Sequence, residues 1–275
     1  MASAAEQLAS NLNFKTFAKA EDLKKRLWFT LAALLVYRLG THIPLPGLNP
    51  EAYAQAFSGQ SGGILGLFNM FSGGAVERMA IFALGIMPYI SASIIVQLMT
   101  SVVPSLENLK KEGEAGRKII NQYTRYGTVI LGALQAYGIA AGLSSGQGIV
   151  SNPGWFFTLS TVVTLLGGTM FLMWLGEQIT SRGIGNGISL IIFAGIAAGL
   201  PGALANTMEL GRTGALPTAL ILTVIIVAIA VIALIVFVER AQRRLLIQYP
   251  KRQVGNRMFQ GDTSHLPLKL NTAGV

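Results

Sequence analysis

"GLFNMFSGGAVERMAIFALGIMP", residues 66–88, reads as a membrane helix with a false start. An apolar run ends at Phe71, Ser72-Gly73-Gly74 interrupts it, Glu77 and Arg78 follow, and a second apolar run begins at Met79. Counted from Ile64, the first run has eight residues. As a helix it extends about 12 Å at ~1.5 Å per residue, against a hydrocarbon core of about 30 Å. It cannot span. Irregular backbone at membrane depth is tolerated only inside protein or beside a wet cavity. The stub is therefore either an interfacial helix in a loop or a re-entrant element, with Gly62-Gly63 and Gly73-Gly74 as hinges.

The rest of the 275 residues agrees with a membrane setting. The chain is 52% hydrophobic and 12% charged, with mean hydropathy +0.54; soluble domains carry about 25% charged residues. There is no cysteine, which excludes disulfides and thiolate metal or redox sites. The 32 glycines point to close helix packing in lipid.

Six segments are long and apolar enough to span. They are residues 27–45, 79–103, two within the uncharged stretch 126–176, 183–204 and 216–238. The polar turn "SSGQGIVSNP", residues 144–153, divides the third from the fourth. With the N-terminus placed in the cytoplasm, 18 of the 21 lysines and arginines fall on that side. The exceptions are Arg38, Arg78 and Arg212. That asymmetry follows the positive-inside rule and puts both ends on the cytoplasmic side. The fold class is all-α: a polytopic membrane bundle of six transmembrane helices plus the stub.

Several stretches together resemble the bacterial SecY family, the large subunit of the Sec translocon. They are "FNMFSGGA", "FALGIMPYISASII", "KKEGEAGRKIINQYTRYGT", "GTMFLMWLGEQITSRGIGNGISLIIFAGI", "VFVERAQRR" and "DTSHLPLKLNTAGV". The resemblance implies an hourglass channel that passes unfolded polypeptides across the membrane or releases apolar segments sideways into lipid. It makes the stub a movable plug: Ile64, Leu65, Gly66, Leu67, Phe68, Asn69, Met70, Phe71, Ser72, Gly73 and Gly74. It makes Ile86 and Ile90 in "GIMPYIS", and Ile188 and Ile192 in "GNGISLIIF", members of a pore ring. Each pair is spaced i, i+4 and so shares a helix face. Branched apolar side chains close around a chain of any sequence and exclude water and ions. From the residues alone, four isoleucines in apolar helices read as ordinary packing or lipid contacts.

The resemblance also divides the chain. Residues 1–26 are an amphipathic cytoplasmic start near SecE. Residues 27–206 are a first five-helix half with the plug at about 64–74, and 207–238 are the sixth span. Residues 239–275 are a basic loop that docks ribosomes or the SecA motor, with Arg243, Arg244, Lys251, Arg252 and Arg257 matching it. A basic run of this kind otherwise reads as a solvated face or an anionic-lipid contact. Against ribosomal RNA it binds phosphate, with strong salt dependence. The implied partners are SecE, SecG, SecA or the ribosome, signal peptides, nascent chains and membrane lipids. The implied location is the bacterial inner membrane.

Three features stay open in the sequence. Pro88, with Ser91 and Ser93, marks either a lateral-gate helix or a packing kink. Asn186 either faces the funnel or caps a helix. Arg38 sits either deep in the first span or near its far end, and an intramembrane charge is by default functional or paired.

No catalytic constellation and no phosphate-binding G-x-x-x-x-G-K-[ST] loop is read, so no enzyme, cofactor or metal is expected. Two alternatives to a protein-conducting channel exist. A secondary transporter of small solutes also uses broken helices, but spans two to six lack interior ionisable residues. An assembly protein with a nucleic-acid-binding tail leaves the stub unexplained. The family has ten spans, and this chain ends at "NTAGV", where the seventh would begin. The expected fold is thus incomplete, without the second wall of the lateral gate, and is not expected to form a closed pore alone.

Overall fold

The computed structural model describes residues 21–58, 64–146, 148–214, 217–248, 252–254, 257–259 and 263–270. Most of the expected amphipathic start, the hinge glycines Gly62 and Gly63, and Lys251 lie outside them. The chain divides into two compact units, Met1–Pro201 and Gly202–Val275.

In the first unit, α1 (Glu21–Gly40) leads through a turn to α2 (Pro50–Ser58), the stub α3 (Ile64–Phe71) and α4 (Met87–Val102). Then come α5 (Pro104–Lys111), the long α6 (Glu114–Ser145), α7 (Trp155–Arg182) and α8 (Gly187–Ala197). The centre is α7, which packs against α1, α4, α6 and α8, while α4 lies along α6. The buried face of α6 is Gly116, Thr124, Thr128, Gly132, Ala136 and Ala140. Small side chains at four-residue spacing let the neighbouring backbones approach, which is how helices associate where lipid supplies no hydrophobic drive. The buried hydroxyls of Thr124, Thr128 and Thr169 each donate to the carbonyl four residues back, at 3.0, 2.8 and 3.1 Å. Each thus satisfies its donor without leaving its own helix. The opposite faces carry exposed Ile130, Leu134, Val163 and Trp174, as suits contact with lipid.

Four described helices or helix pairs are long and apolar enough to cross a membrane: α6, α7, α8 with the following helix, and the last helix. The bent pair α4–α5, which turns by 98° ahead of Pro104, raises this to five. The first expected span, residues 27–45, overlaps α1 only as far as Gly40, and α1 is not among the helices that meet the length and hydropathy of a span. That helix starts before the apolar run and takes in Glu21, Asp22, Lys24, Lys25 and Arg26.

One span begins later than its hydropathy implies. Residues 79–86 are apolar, yet the helix starts at Met87. The segment is held extended and turned instead: Leu45 N–H donates to the Met79 carbonyl (3.0 Å) and Ile81 N–H to the Ile43 carbonyl (3.0 Å). Met79 and Gly85 adopt positive φ, 44° and 55°. A Cβ at Gly168 on α7 would collide with the Ile81 carbonyl oxygen, so only glycine admits this strand-like segment against the bundle. Pro88 falls in the first turn of α4, where its missing N–H costs nothing. It starts the helix; the expected bend within the second span is absent there.

The second unit contains α9 (Leu200–Arg212), α10 (Thr218–Arg240) and four strands: β1 (Gln242–Gln248), β2 (Arg252–Val254), β3 (Arg257–Phe259) and β4 (Thr263–Lys269). β1 pairs antiparallel with β4, from Gln242↔Lys269 to Gln248↔Thr263, and β2 pairs with β3 between them. The helical class stands for the membrane part. The basic tail adds a β-ribbon for which the all-α expectation had no element.

Candidate functional site

The stub ends by hydrogen bonding as well as by sequence. Gly74 N–H reaches back to the Asn69 carbonyl (3.0 Å) and Gly73 N–H to the Met70 carbonyl (3.3 Å), with Gly73 at φ 68°. That is a Schellman stop with glycine in the left-handed position. The exit loop then folds onto the helix. Asn69 Oδ1 accepts from Glu77 N–H (3.0 Å), and its Nδ2 donates to Glu77 Oε2 (3.2 Å). Ser72 Oγ donates to the Asn69 carbonyl (3.1 Å) and accepts from Val76 N–H (3.3 Å). The exit at Gly73-Gly74, expected to act as a hinge, is thus tied back to the stub through Asn69 and Ser72. Asn69→Ala removes two of these bonds and is expected to weaken the exit clamp by about 1–2 kcal/mol. Faster exchange of the Glu77 amide would register the loss, and unchanged protection would refute it.

The stub packs against α8, with Phe68, Met70 and Phe71 each partly exposed. Among its described side chains, Phe68 and Phe71 line a cavity of about 260 Å³, together with Ser72, Ile86, Ile90 and Ile192. Tyr37, Leu172 and Ile191 complete much of the wall. A second cavity of about 500 Å³ is bounded by Tyr53, Gln135, Ile139 and Leu143. Phe68, Ala83, Leu84 and Met87 line both cavities, so the Phe68 ring stands between them. Burial holds the Tyr53 phenol above its ordinary pKa, in keeping with a site set apart from solvent.

Of the four isoleucines singled out, Ile86, Ile90 and Ile192 meet at the first cavity. Ile86 is the N-cap residue of α4, and its carbonyl accepts from Ile90 N–H (3.1 Å), so the pair keeps its i, i+4 relation across the helix start. Ile188 is half-buried and packs near Gly176 of α7; it does not line the cavity. Ile191, 1% exposed, lines it in its place. The four-residue spacing that linked Ile188 to Ile192 left out this neighbour. The side chain of Asn186 accepts from Ile188 N–H (3.1 Å), which makes it the cap of α8.

Arg38 has a partner that hydropathy does not reveal. Its Nη1 donates to the Gly73 carbonyl at 2.7 Å, and the Tyr37 hydroxyl donates to the adjacent Ser72 carbonyl at 3.3 Å. Gly195 on α8 closes the other side: a Cβ there would lie 2.7 Å from the Phe71 carbonyl oxygen. Behind Arg38, His42 Nδ1 lies 2.9 Å from the Arg38 carbonyl and Nε2 lies 3.2 Å from Arg78 Nη1. That places the imidazole proton on Nδ1, with Nε2 accepting from Arg78.

Arg125 and Glu177 tie α6 to α7. Arg125 Nη2 lies 2.7 Å from each carboxylate oxygen, and Nε donates at 3.1 Å. In the tail, Arg243 pairs with Leu268 and Arg244 with Pro267, so the two consecutive arginines project from opposite faces of the ribbon. Arg252 lies in β2 and Arg257 in β3. Of the five basic residues expected to act together, the four described ones are thus divided between two strand pairs.

A short helix packs beside a cavity whose wall includes Ile86, Ile90, Ile191 and Ile192, in a bundle with helices long and apolar enough to cross a membrane. A solved structure described as that of a protein conducting channel shares this fold: TM-score 0.53 at 19% identity, over 90% of this chain and 53% of that one. Another, described by the plug domain of the SecY protein, aligns at TM-score 0.51 and 20% identity, over 90% and 52%. Sec61 from a canine ribosome–channel complex aligns at TM-score 0.50 and 19% identity, over 81% and 49%.

The chain belongs to the SecY family: the SecY family model matches residues 80–275. The protein translocase subunit SecY of Pseudomonas aeruginosa is 57% identical over 254 residues, covering 92% of this chain and 57% of that protein. The Escherichia coli K12 subunit is 56% identical over 257 residues, covering 92% and 58%. The chain thus spans somewhat over half the length of these relatives.

Proposed function

We propose that this chain is a subunit of a protein-conducting channel that passes unfolded secretory polypeptides across the membrane and releases apolar segments into lipid. The observation that carries the reading is α3: a helix too short to span, seated beside Ile86, Ile90 and Ile192 in a member of the SecY family. In this reading α3 is the plug, and the apolar wall beneath it is part of the constriction. Such a wall makes no hydrogen bonds to a substrate, so it admits any sequence. With the plug withdrawn it would seal by excluding water.

The membrane would be the bacterial inner membrane, with the N-terminus in the cytoplasm, as the basic loops require. SecE and SecG would flank the bundle. The basic loop of residues 239–275 would meet SecA or the ribosome through Arg243, Arg244, Lys251, Arg252 and Arg257. Energy would come from those partners, and the chain itself would be non-catalytic. The small-solute transporter has no support among the relatives, which carry a translocase's description.

The test uses the absence of native cysteine. The chain is co-expressed with the portion of the Pseudomonas aeruginosa relative that it does not match. A cysteine at Ile86 or Ile192 is paired with one in a stalled secretory chain. Disulfides at these positions and none at the lipid-facing Leu134 are expected. An assembled complex that crosslinks equally at Leu134, or not at all at the isoleucines, would overturn the pore assignment.

A further inference from the structure

We infer that Arg38 is the latch that holds the plug helix in its seat, a role that rests on reading α3 as the plug. The half-buried guanidinium lies near the end of α1, and among the described residues no carboxylate forms an ion pair with it. A charge in such a place needs compensation. It finds this in the backbone of the plug's exit, by the 2.7 Å bond from Nη1 to the Gly73 carbonyl. A charge-assisted hydrogen bond is roughly twice as strong as a neutral one. The neighbouring Tyr37 hydroxyl makes the neutral counterpart, to the Ser72 carbonyl.

The bond is suited to a movable part. The rest of α3's described surroundings is apolar contact, through Phe68 and Phe71 at the cavity and the close approach of Gly195. Apolar contacts are non-directional and let the helix slide or turn; the two bonds from α1 fix one position. Both end on main-chain carbonyls, so they read the plug's backbone and not its side chains. Asn69, Ser72 and Glu77 bind within the plug and its own exit loop, and they travel with it. Tyr37 and Arg38 belong to α1 and stay behind. Opening therefore parts the Arg38–Gly73 and Tyr37–Ser72 bonds while leaving the internal clamp whole.

The test places a single reporter cysteine at Ser72, which is 5% exposed, in the full chain in lipid nanodiscs. The reporter is read by its rate of reaction with a water-soluble maleimide. Arg38→Gln is expected to raise that rate about tenfold or more, and Tyr37→Phe by about twofold to fivefold, as befits a charged and a neutral bond. Arg38→Lys keeps the cation and should restore most of the protection. A second reporter at Thr169, 1% exposed in α7, controls for general loosening. Unchanged labelling at Ser72 in Arg38→Gln, or equal acceleration at Thr169, overturns the latch. Failure of the plug reading has a different signature. The Ser72 reporter would still be unmasked, but vesicles holding the completed channel would show no added ion leak.

Discussion

Gly195→Val is expected to drive α3, the proposed plug, out of its seat. A Cβ at position 195 lies 2.7 Å from the Phe71 carbonyl oxygen, 3.0 Å from the Tyr37 hydroxyl and 3.4 Å from Gly73 N. The first of these is main chain, so no rotamer change relieves it; α3 or α8 must move. Overpacking a close helix contact costs about 1–3 kcal/mol, and valine's two methyls press on the plug's exit. The cheaper response is displacement of α3, because α8 is anchored along α7 while α3 is held at its exit. A cysteine at Ser72 should then react with maleimide at least as fast as in Arg38→Gln, and the completed channel should leak ions. Gly195→Ala should do the same to a smaller extent. Native labelling in the valine variant would mean that α8 yields instead, and that the Gly195 contact does not set the plug's position.

The second large effect is expected at Leu172. It is fully buried in α7, clusters with Phe82, Ile86 and Ile191, and forms part of the cavity wall beneath the plug. Leu172→Ala removes packing from a place that already borders empty space, so the neighbours have little to collapse onto. Such truncations cost about 2–5 kcal/mol in soluble cores. Here the lower end, about 2 kcal/mol, is expected, because a lipid-solvated reference state lacks the hydrophobic drive and leaves chiefly dispersion. Thermal unfolding in nanodiscs, followed by near-ultraviolet circular dichroism, measures it. A midpoint unchanged from the parent chain would refute tight packing around Leu172. Leu134→Ala, on the exposed face of α6, should change little.

The long apolar segments, the charge asymmetry and the stub from Ile64 to Phe71 were all legible in the sequence. Each is a property of consecutive residues: hydropathy sets which lengths can cross, lysine and arginine mark one side, and glycine pairs end a helix. The family motifs made all four isoleucines pore candidates, and the structure brings three of them, Ile86, Ile90 and Ile192, to one cavity. Tertiary structure decided the rest. Residues 79–86 are as apolar as the span after them, but pairing with 43–45 withholds them from the helix. Ile191 lines the cavity and Ile188 does not: α8 meets α7 at Gly187 and the stub's exit at Gly195, and Ile188 packs on Gly176. Arg38 stood out as a charge in an apolar run, but its partner was hidden. That partner is a main-chain carbonyl 35 residues away, and every residue has one. Side-chain chemistry is written in the sequence, whereas the choice of which carbonyl meets a guanidinium is made only when the helices pack.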